Sequence, residues 1–184
     1  MPSVEKRIRN MSFVELIRSR RSVRVYEKRP LSQEIKDHLA EAILRSPSSR
    51  DFNSWEFIFV DDPKLLKRLA EAKPVGAGFL AGAALAVVIA GNSASTDVWI
   101  EDCSIAATFV QLAAHDIGLG SCWAQIRLRP HNGTMSAEAY VRSLLGIPGH
   151  ICVNMIIGIG YPDEFPVPLA KEKLDYGRIH YNGF

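Results

Sequence analysis

The stretch "ICVNMIIGIG" at residues 151–160 carries no charged side chain and is rich in β-branched residues. Such an uninterrupted apolar run is typical of a strand that is buried on both faces of a sheet. The run "ALAVVIA" at residues 84–90 has the same character and predicts a second buried strand. The two runs together predict a central sheet that other elements cover on both sides.

Shorter periodic segments surround these two runs. Strands are predicted for "EFIFV" at residues 56–60 and for "GSCWAQI" at residues 120–126. Residues 97–116 predict a long helix that is apolar nearly all round, and such a helix is expected at the centre of the molecule. Four shorter helices are predicted: one through Phe13 and Ile17, one from Ser32 to Ile43, one through Leu65 and Leu69, and one from Ser136 to Leu145. Residues 1–184 are therefore expected to form one α+β domain with helices layered on a central sheet.

The overall charge is nearly balanced, with 22 Lys and Arg residues against 20 Asp and Glu residues. This balance gives no general reason to expect binding to nucleic acid or to an anionic membrane. Residues 1–30, however, hold nine Lys and Arg residues and only three Glu residues. A small local site for an anion is therefore expected in this part of the chain.

No segment predicts export or insertion into a membrane. The N-terminal residues are charged and lack the apolar core of a signal peptide. The uncharged residues 75–96 are rich in Gly and Ala, so they predict a glycine-rich loop that leads into a buried strand rather than a membrane span. Cys103, Cys122 and Cys152 are far apart and form no C-x-x-C motif. They are expected to be buried thiols in a cytoplasmic protein, with no disulfide and no bound metal.

The basic stretch "RSRRSVRVY" at residues 18–26 is the first candidate binding motif. Arginine offers planar, paired donors that match phosphate oxygens, and serine adds a hydroxyl donor of short reach. In an extended segment Ser22 and Arg24 point to one face while Arg21 points to the other. The alternative is that these arginines are solvated at the end of a helix, as we expect for Arg18 on the preceding helix.

The loop "SPSSRDFNSWEF" at residues 46–57 is the second candidate. Its small and polar residues are Pro47, Ser48, Ser49, Asp51 and Asn53. The loop is either an ordinary helix–strand connection with Trp55 as a core anchor, or a polar cradle for a ligand with many hydroxyl and carbonyl groups. The sequence alone leaves both interpretations open.

The C-terminal region is the third candidate. Its last 24 residues contain three prolines and no strong period, so we expect this tail to lie on a partner subunit. Within it, "KEK" at residues 171–173 places Lys171 and Lys173 on alternate positions. Taken alone, these two lysines predict only a charged stretch that is exposed to solvent.

These stretches, together with "IGLGSCW" at residues 117–123 and "GIPGHICVNMIIGIGYP" at residues 146–162, resemble the nitroreductase family of FMN enzymes in order and spacing. The resemblance runs from about Phe13 to the C-terminus. It implies a nitroreductase-like α+β fold with a central, mainly antiparallel sheet flanked by helices. It also implies a homodimer with exchanged C-terminal tails, the long helix at its interface and two FMN sites between the subunits.

The resemblance also implies roles for the basic residues. Arg20, Arg21 and Ser22 correspond to residues that bind the FMN phosphate in this family. Arg24 corresponds to the basic residue near the N1/O2 edge of the flavin. A cation at that position stabilises the negative charge of a reduced flavin and so tunes its potential.

Two further segments match the family motif by motif. Trp123, Ala124 and Gln125 correspond to the segment that lines the flavin face, where the backbone N–H of Gln125 is expected to meet N5. Lys171 and Lys173 correspond to the basic pair that the tail places on the phosphate.

The loop Pro47–Ser49 corresponds to the one that the other subunit supplies. The usual family pattern here is P-S-x-x-N-x-Q-P-W, and in this chain Asp51, Asn53 and Ser54 stand at the positions of the Asn, Gln and Pro. An ionised Asp51 can accept a hydrogen bond but cannot donate one, so its contact with FMN stays open.

The function expected from this resemblance is that of an FMN-dependent oxidoreductase. NADH or NADPH would reduce the flavin at N5, and a nitroaromatic, quinone or similar small-molecule acceptor would reoxidise it, with no catalytic side chain required. One alternative is a specialised flavin enzyme of the same family, of the dehalogenating, flavin-fragmenting or heterocycle-oxidising type. The other is a flavin-binding protein without turnover.

Overall fold

A four-stranded antiparallel sheet forms the centre of the computed structural model, which describes residues 11–184. The strands are β1 (Trp55–Val60), β2 (Leu85–Asn92), β3 (Gly120–Gln125) and β4 (Ile151–Gly160), in the spatial order β1-β2-β4-β3. Strands β2 and β4 are thus the inner strands, as their unbroken apolar sequences predict. Strand β3 lies at one edge of the sheet.

Residues 11–184 contain five α-helices, and four of them cover the two faces of this sheet. The five helices are α1 (Phe13–Ser19), α2 (Gln33–Leu44), α3 (Pro63–Ala70), α4 (Trp99–Asp116) and α5 (Ala137–Leu145). Apolar residues of α2 and α4 pack on one face, and apolar residues of α3 and α5 pack on the other. The predicted α+β architecture is confirmed, with each predicted helix and strand present to within a few residues. The basic residues Lys6, Arg7 and Arg9 lie outside the described residues.

Local sequence signals explain where the helices begin and end. Ser12 and Glu15 form the predicted capping box at the start of α1, and Ser32 caps α2 through the backbone N–H of Ile35. Helix α5 ends on Gly146, whose φ of 66° lies in the left-handed region that favours glycine.

Helix α4 is the longest element and lies against the sheet. Cys103, Ala106 and Val110 on its inner face are fully buried. Ile105 and Phe109 on its outer face remain 39% and 38% exposed. No helix within residues 11–184 has both the length and the apolar character needed to cross a bilayer.

The prediction that all three cysteines are buried is wrong for Cys152. Cys103 and Cys122 are buried, whereas Cys152 is only partly buried near the start of β4, where its thiol contacts the Ser93 hydroxyl at 3.5 Å. Cys152 faces the loop after β2 at one end of the sheet, where Ser93 is itself exposed. All three thiols are free.

We predict that Gly158→Ala destabilises the fold by about 1–3 kcal/mol, the usual cost of overpacking a core. A Cβ at this position of β4 would lie 2.7 Å from the Phe79 ring and 3.0 Å from Leu80. Denaturant unfolding measures the change. Gly82→Ala is the matched control, because a Cβ there meets no heavy atom within 4 Å. Equal unfolding midpoints for the two variants would contradict this packing argument.

Candidate functional site

A cleft of about 940 Å³ lies between the basic segment and the C-terminal tail. Its polar and charged lining on these two elements includes Arg18, Arg20, Arg21, Ser22, Arg24 and Lys171. The tail contributes an apolar wall on the other side, with Pro166, Pro168 and Leu169. The described chain therefore concentrates cations in one cleft, as the sequence predicted for residues 1–30.

Backbone pairing and two buried side chains fix the basic segment at the start of β3. Ser22 forms a parallel bridge with Ser121, and the backbone N–H of Val23 donates to the Ser121 carbonyl at 2.9 Å. Val23 packs so closely on Gly120 that a Cβ there would lie 2.7 Å from it. The buried Tyr26 hydroxyl donates to the Val23 carbonyl at 2.6 Å. These contacts leave the arginines on the outer side of the segment.

Arg21, which was expected on the face opposite to Ser22 and Arg24, borders two clefts. Arg21 lines the same cleft as Ser22 and Arg24, and also a smaller adjoining one. The smaller cleft is lined by Arg21 and Val23 together, two positions apart, as alternation along an extended segment predicts. Arg18 is exposed, as expected, and also lines the larger cleft.

Glu164 is a cleft residue that sequence reasoning missed. Its Oε1 atom accepts from the backbone N–H groups of Arg24 and Val25, the latter at 3.2 Å. The carboxylate therefore holds the backbone that carries Arg24. Glu164 and Arg24 are about 140 residues apart in the chain, and nothing in the local sequence "YPDEFP" predicts their contact.

The groups behind the basic segment are uncharged. Burial raises the pKa of the Cys122 thiol, although the positive charge of Arg24 acts in the opposite direction. Burial likewise raises the pKa of Tyr26 far above its usual range. The charge that the cleft presents to a ligand therefore comes from its arginines, Lys171 and Glu164.

The tail places its two lysines differently. Lys171 lines the cleft, whereas Lys173 is exposed and does not. The two residues lie in a 3-10 helix, Lys171–Lys173, rather than in an extended segment. At three residues per turn their side chains point in different directions, so only one of them faces the cations of the basic segment.

The loop that carries Pro47, Ser48 and Ser49 is held in a tight conformation outside this cleft. Three consecutive or near-consecutive residues, Arg50, Asp51 and Asn53, have φ angles of 50°, 57° and 48°. Such left-handed conformations cost energy in non-glycine residues and persist only where other contacts hold them. The Ser48 hydroxyl accepts from the Asn53 backbone N–H at 3.0 Å, and the Asn53 amide donates to Asp51 Oδ1 at 3.0 Å.

Asp102 is the second residue that sequence reasoning missed. Its side chain lies in the first turn of α4, is only 2% exposed, and accepts through Oδ1 from the Ser49 backbone N–H at 2.9 Å. Its Oδ2 atom has no hydrogen-bond partner. Acidic residues are common in the first turn of a helix, where Glu101 stands beside Asp102, so no signal in the sequence singles Asp102 out.

Helix α4 separates the loop from the basic segment. Ser49 is bound at Asp102 near the start of α4, whereas Ser19 Oγ lies 2.8 Å from His115 Nε2 near its end. At 1.5 Å per residue, the two positions are about 20 Å apart along the helix axis. One chain therefore does not bring the loop and the arginines together.

Strand β3 leads away from the basic segment along the edge of the sheet. Ala124 is buried, Gln125 is partly buried, and Trp123 is 44% exposed. The Trp123 indole N–H donates to Gln125 Oε1 at 3.1 Å, and the Gln125 amide donates to the Arg127 carbonyl at 3.3 Å. These residues form an ordered strip that begins beside Ser22, outside the lining of the cleft itself.

Comparison with known proteins agrees with this arrangement. The model of the nitroreductase family matches residues 17–73 and 71–161. An FMN-dependent nitroreductase from Clostridium difficile R20291 is 41% identical with a TM-score of 0.92, over 94% of this chain and 100% of that one. A provisionally named NADH dehydrogenase/NAD(P)H nitroreductase of Archaeoglobus fulgidus is 35% identical over 91% of this chain and 95% of its own length.

The α+β sheet, the basic cleft at its edge and these matches define the class of the protein. The chain belongs to the nitroreductase family. A shorter match, 33% identical over 70 residues, links 38% of this chain to 25% of iodotyrosine deiodinase 1 of Rattus norvegicus.

The cleft fits the phosphate of the flavin that the family implies. Its arginines, Lys171 and the Ser22 hydroxyl are the donors that a phosphate requires. Glu164, the acidic residue in the lining, directs Oε1 to backbone N–H groups. Within residues 11–184, no group of three His, Cys, Asp or Glu side chains is placed to hold a metal ion.

We predict that Asp102→Ala loosens the loop Pro47–Asn53, whereas Asp102→Asn preserves it. The asparagine side chain can still accept from the Ser49 N–H through Oδ1, but alanine leaves that N–H without its acceptor. The expected loss is about 1–3 kcal/mol in the free energy of unfolding, together with faster hydrogen exchange of the Ser49 amide. If both variants behave alike, hydrogen-bond acceptance by Asp102 does not hold the loop.

Proposed function

We propose that the protein is an FMN-dependent NAD(P)H oxidoreductase that transfers electrons to a nitroaromatic, quinone or similar electrophilic acceptor. The observation that carries this proposal is the position of the basic cleft, with Ser22 directly beside the edge strand β3. Family membership and the FMN-dependent relative support the flavin, and the names of other relatives support NAD(P)H as the reductant. A cytoplasmic location stays a prediction.

The phosphate end of the cofactor would be held by the basic segment and the tail. Arg20, Arg21 and Ser22 supply guanidinium and hydroxyl donors, and Lys171 supplies an ammonium group from the opposite wall. Charge-assisted contacts of this kind are the strongest hydrogen bonds available to a protein. Lys173 is proposed to contact the phosphate only if the tail rearranges on binding, because its side chain does not line the cleft.

The ring end would lie along β3. Trp123, Ala124 and Gln125 would line one face of the ring, with the rigid Trp123–Gln125 hydrogen bond ordering that wall. Arg24, whose backbone Glu164 holds in place, would put a positive charge near the N1/O2 edge. When bound, FMN supplies the hydride-accepting and hydride-donating atom N5, so the chain itself needs no acid or base at the reacting centre.

The loop Pro47–Asn53 would reach this site from a second subunit. Within one chain it lies about 20 Å from the basic segment along α4. Helices α1 and α4, which contact each other through Ser19 and His115, expose Phe13, Ile17, Ile105 and Phe109 as a candidate surface for such a partner. We therefore propose a homodimer in which Ser48 and Ser49 of one subunit complete the site of the other.

A reductive dehalogenase is the second candidate, because a stretch of 70 residues matches iodotyrosine deiodinase 1. The stretch covers 38% of this chain and 25% of that protein, so it does not carry over the substrate. Turnover with a nitroaromatic and with a halogenated phenol, measured side by side, separates the two candidates.

We predict that the purified protein binds FMN and that NADH or NADPH bleaches the flavin absorbance under anaerobic conditions. A protein that fails to take up FMN contradicts the proposed function. A flavin that binds but is not reduced by either nucleotide supports the non-catalytic alternative.

We predict different effects for two arginines of the cleft. Arg20→Ala removes a proposed phosphate contact and is expected to weaken FMN binding by roughly tenfold or more, whereas Arg24→Ala is expected to lower the flavin reduction potential with a smaller change in affinity. Fluorescence titration and spectroelectrochemistry measure the two quantities. Arg45→Ala is the control, since exposed Arg45 pairs with Glu41 on α2. Unchanged affinity and potential in both cleft variants would refute these roles.

We predict that Ile105→Glu combined with Phe109→Glu yields a monomer that retains FMN poorly. Two carboxylates on the exposed face of α4 would be desolvated in the proposed interface. Analytical ultracentrifugation measures the mass, and Val75→Glu is the control because Val75 is 83% exposed outside this helix. A monomeric variant with unchanged FMN affinity would show that one subunit suffices for the site.

A further inference from the structure

A second group of cations lies at the far end of β3 from the basic cleft. It consists of Lys73, Arg127 and Arg129, and we call it the distal cation group. Arg127 follows Gln125 by two residues, and its carbonyl accepts from the Gln125 amide at 3.3 Å. The strip of residues proposed to line the flavin ring therefore continues directly into this group.

The turn between the two arginines is rigid and strained. Leu128 has a φ of 58° and is 77% exposed, which is unusual for a bulky apolar residue. The backbone N–H of Arg127 donates to the Asn154 carbonyl at 2.9 Å, and that of Arg129 donates to the Ile126 carbonyl at 3.1 Å. Strain of this kind is typical of functional sites, and here it presents an apolar side chain flanked by two cations.

Lys73 is brought to this turn by a contact between separate parts of the chain. His131 Nδ1 lies 3.2 Å from the carbonyl oxygen of Ala72, and because a carbonyl can only accept, Nδ1 is the donor. Lys73 is partly buried, and burial followed by the like charge of Arg129 lowers its pKa. No ion pair within residues 11–184 joins any of the three cations to a carboxylate.

The backbone of Arg127 and Arg129 therefore lies at the end of β3 opposite to the basic segment, and this edge strand is about 17 Å long, given a rise of 3.3–3.4 Å per residue. Lys73 lies beside Arg129 and within electrostatic reach of Cys122 on the strand itself. The cations of the basic cleft are assigned to the cofactor phosphate under the proposed function. A second group of clustered, unpaired cations has no such assignment. Like charges held together without counterions favour the binding of an anion, because an anion relieves their mutual repulsion.

We infer that the distal cation group binds the anionic oxygens of the small molecule that reacts at the flavin ring, either a carboxylate of the acceptor or a phosphate of the nicotinamide nucleotide. This inference rests on the proposed function, since it places the reacting ring along β3. Leu128 supplies an apolar contact beside the anion. The preferred substrates are thus amphipathic anions rather than neutral aromatics.

The test compares matched charged and neutral substrates in the FMN-loaded protein. The acceptors are 4-nitrobenzoate and 4-nitrobenzamide, and the reductants are NADPH and NADH. In Lys73→Met and Arg129→Gln, KM for 4-nitrobenzoate is expected to rise about three- to tenfold, with little change for 4-nitrobenzamide. A selective rise for NADPH instead identifies the nucleotide phosphate as the anion that is bound.

Two further measurements separate binding from turnover and from net charge. Inorganic pyrophosphate should inhibit the wild-type protein competitively and should inhibit both variants several-fold less well. Lys67→Met, a loss of the same charge on α3, is the control and should change none of these values. The equilibrium affinity of 4-nitrobenzoate for the oxidised protein, followed by the flavin difference spectrum, should fall in parallel with KM.

The outcomes are distinct. The inference is overturned if KM changes equally for charged and neutral substrates, or if it changes in neither variant. In that case FMN binding and reduction by NAD(P)H still support the proposed function. A wild-type protein that neither binds FMN nor oxidises NAD(P)H overturns the proposed function, and this inference falls with it.

Discussion

The close contact between the basic segment and two glycines is the constraint on which the cleft depends. Val23 packs on Gly120, and Tyr26 packs on Gly160, where a Cβ would lie 2.9 Å from the tyrosine ring. Any larger residue at either glycine would push the segment away from the sheet. Since the Ser22–Ser121 bridge sets the register, these contacts determine which side chains face outward. The packing of Val23 and Tyr26 against the sheet thus determines where the arginines of the basic segment lie.

The edge position of β3 explains why the candidate site extends along a strand rather than into a closed cavity. Its inner neighbour β4 pairs with it on one side, and on the other side residues 11–184 supply only the bridge at Ser22. An exposed strand edge invites unwanted pairing with other chains, and charged residues are the usual protection against it. Here the cations stand at both ends of β3, so the same residues that discourage aggregation are available to bind anions.

The elements of the fold could be predicted because their signals are local. The apolar runs of β2 and β4 and the serine caps of α1, α2 and α5 each lie within a few residues of the structure they determine. The basic segment was found for the same reason. Glu164, Asp102 and Lys73 could not be found this way, because each acts on a residue that is distant in sequence. Their roles follow from tertiary contacts, which a single sequence does not encode in any short pattern.

Helix α4 accounts for the distance between the two parts of the candidate site within one chain. Its buried Asp102 accepts from the loop at one end, and His115 contacts α1 at the other, so the rigid helix keeps two polar segments about 20 Å apart. Burying the Asp102 side chain with one unpaired oxygen is costly, and the hydrogen bond from the Ser49 N–H to its other oxygen offsets part of that cost. A loop held in three left-handed residues cannot swing 20 Å to its own arginines without losing that support. A second copy of α4, packed through Ile105 and Phe109, would bring the loop to the site with both segments still rigid.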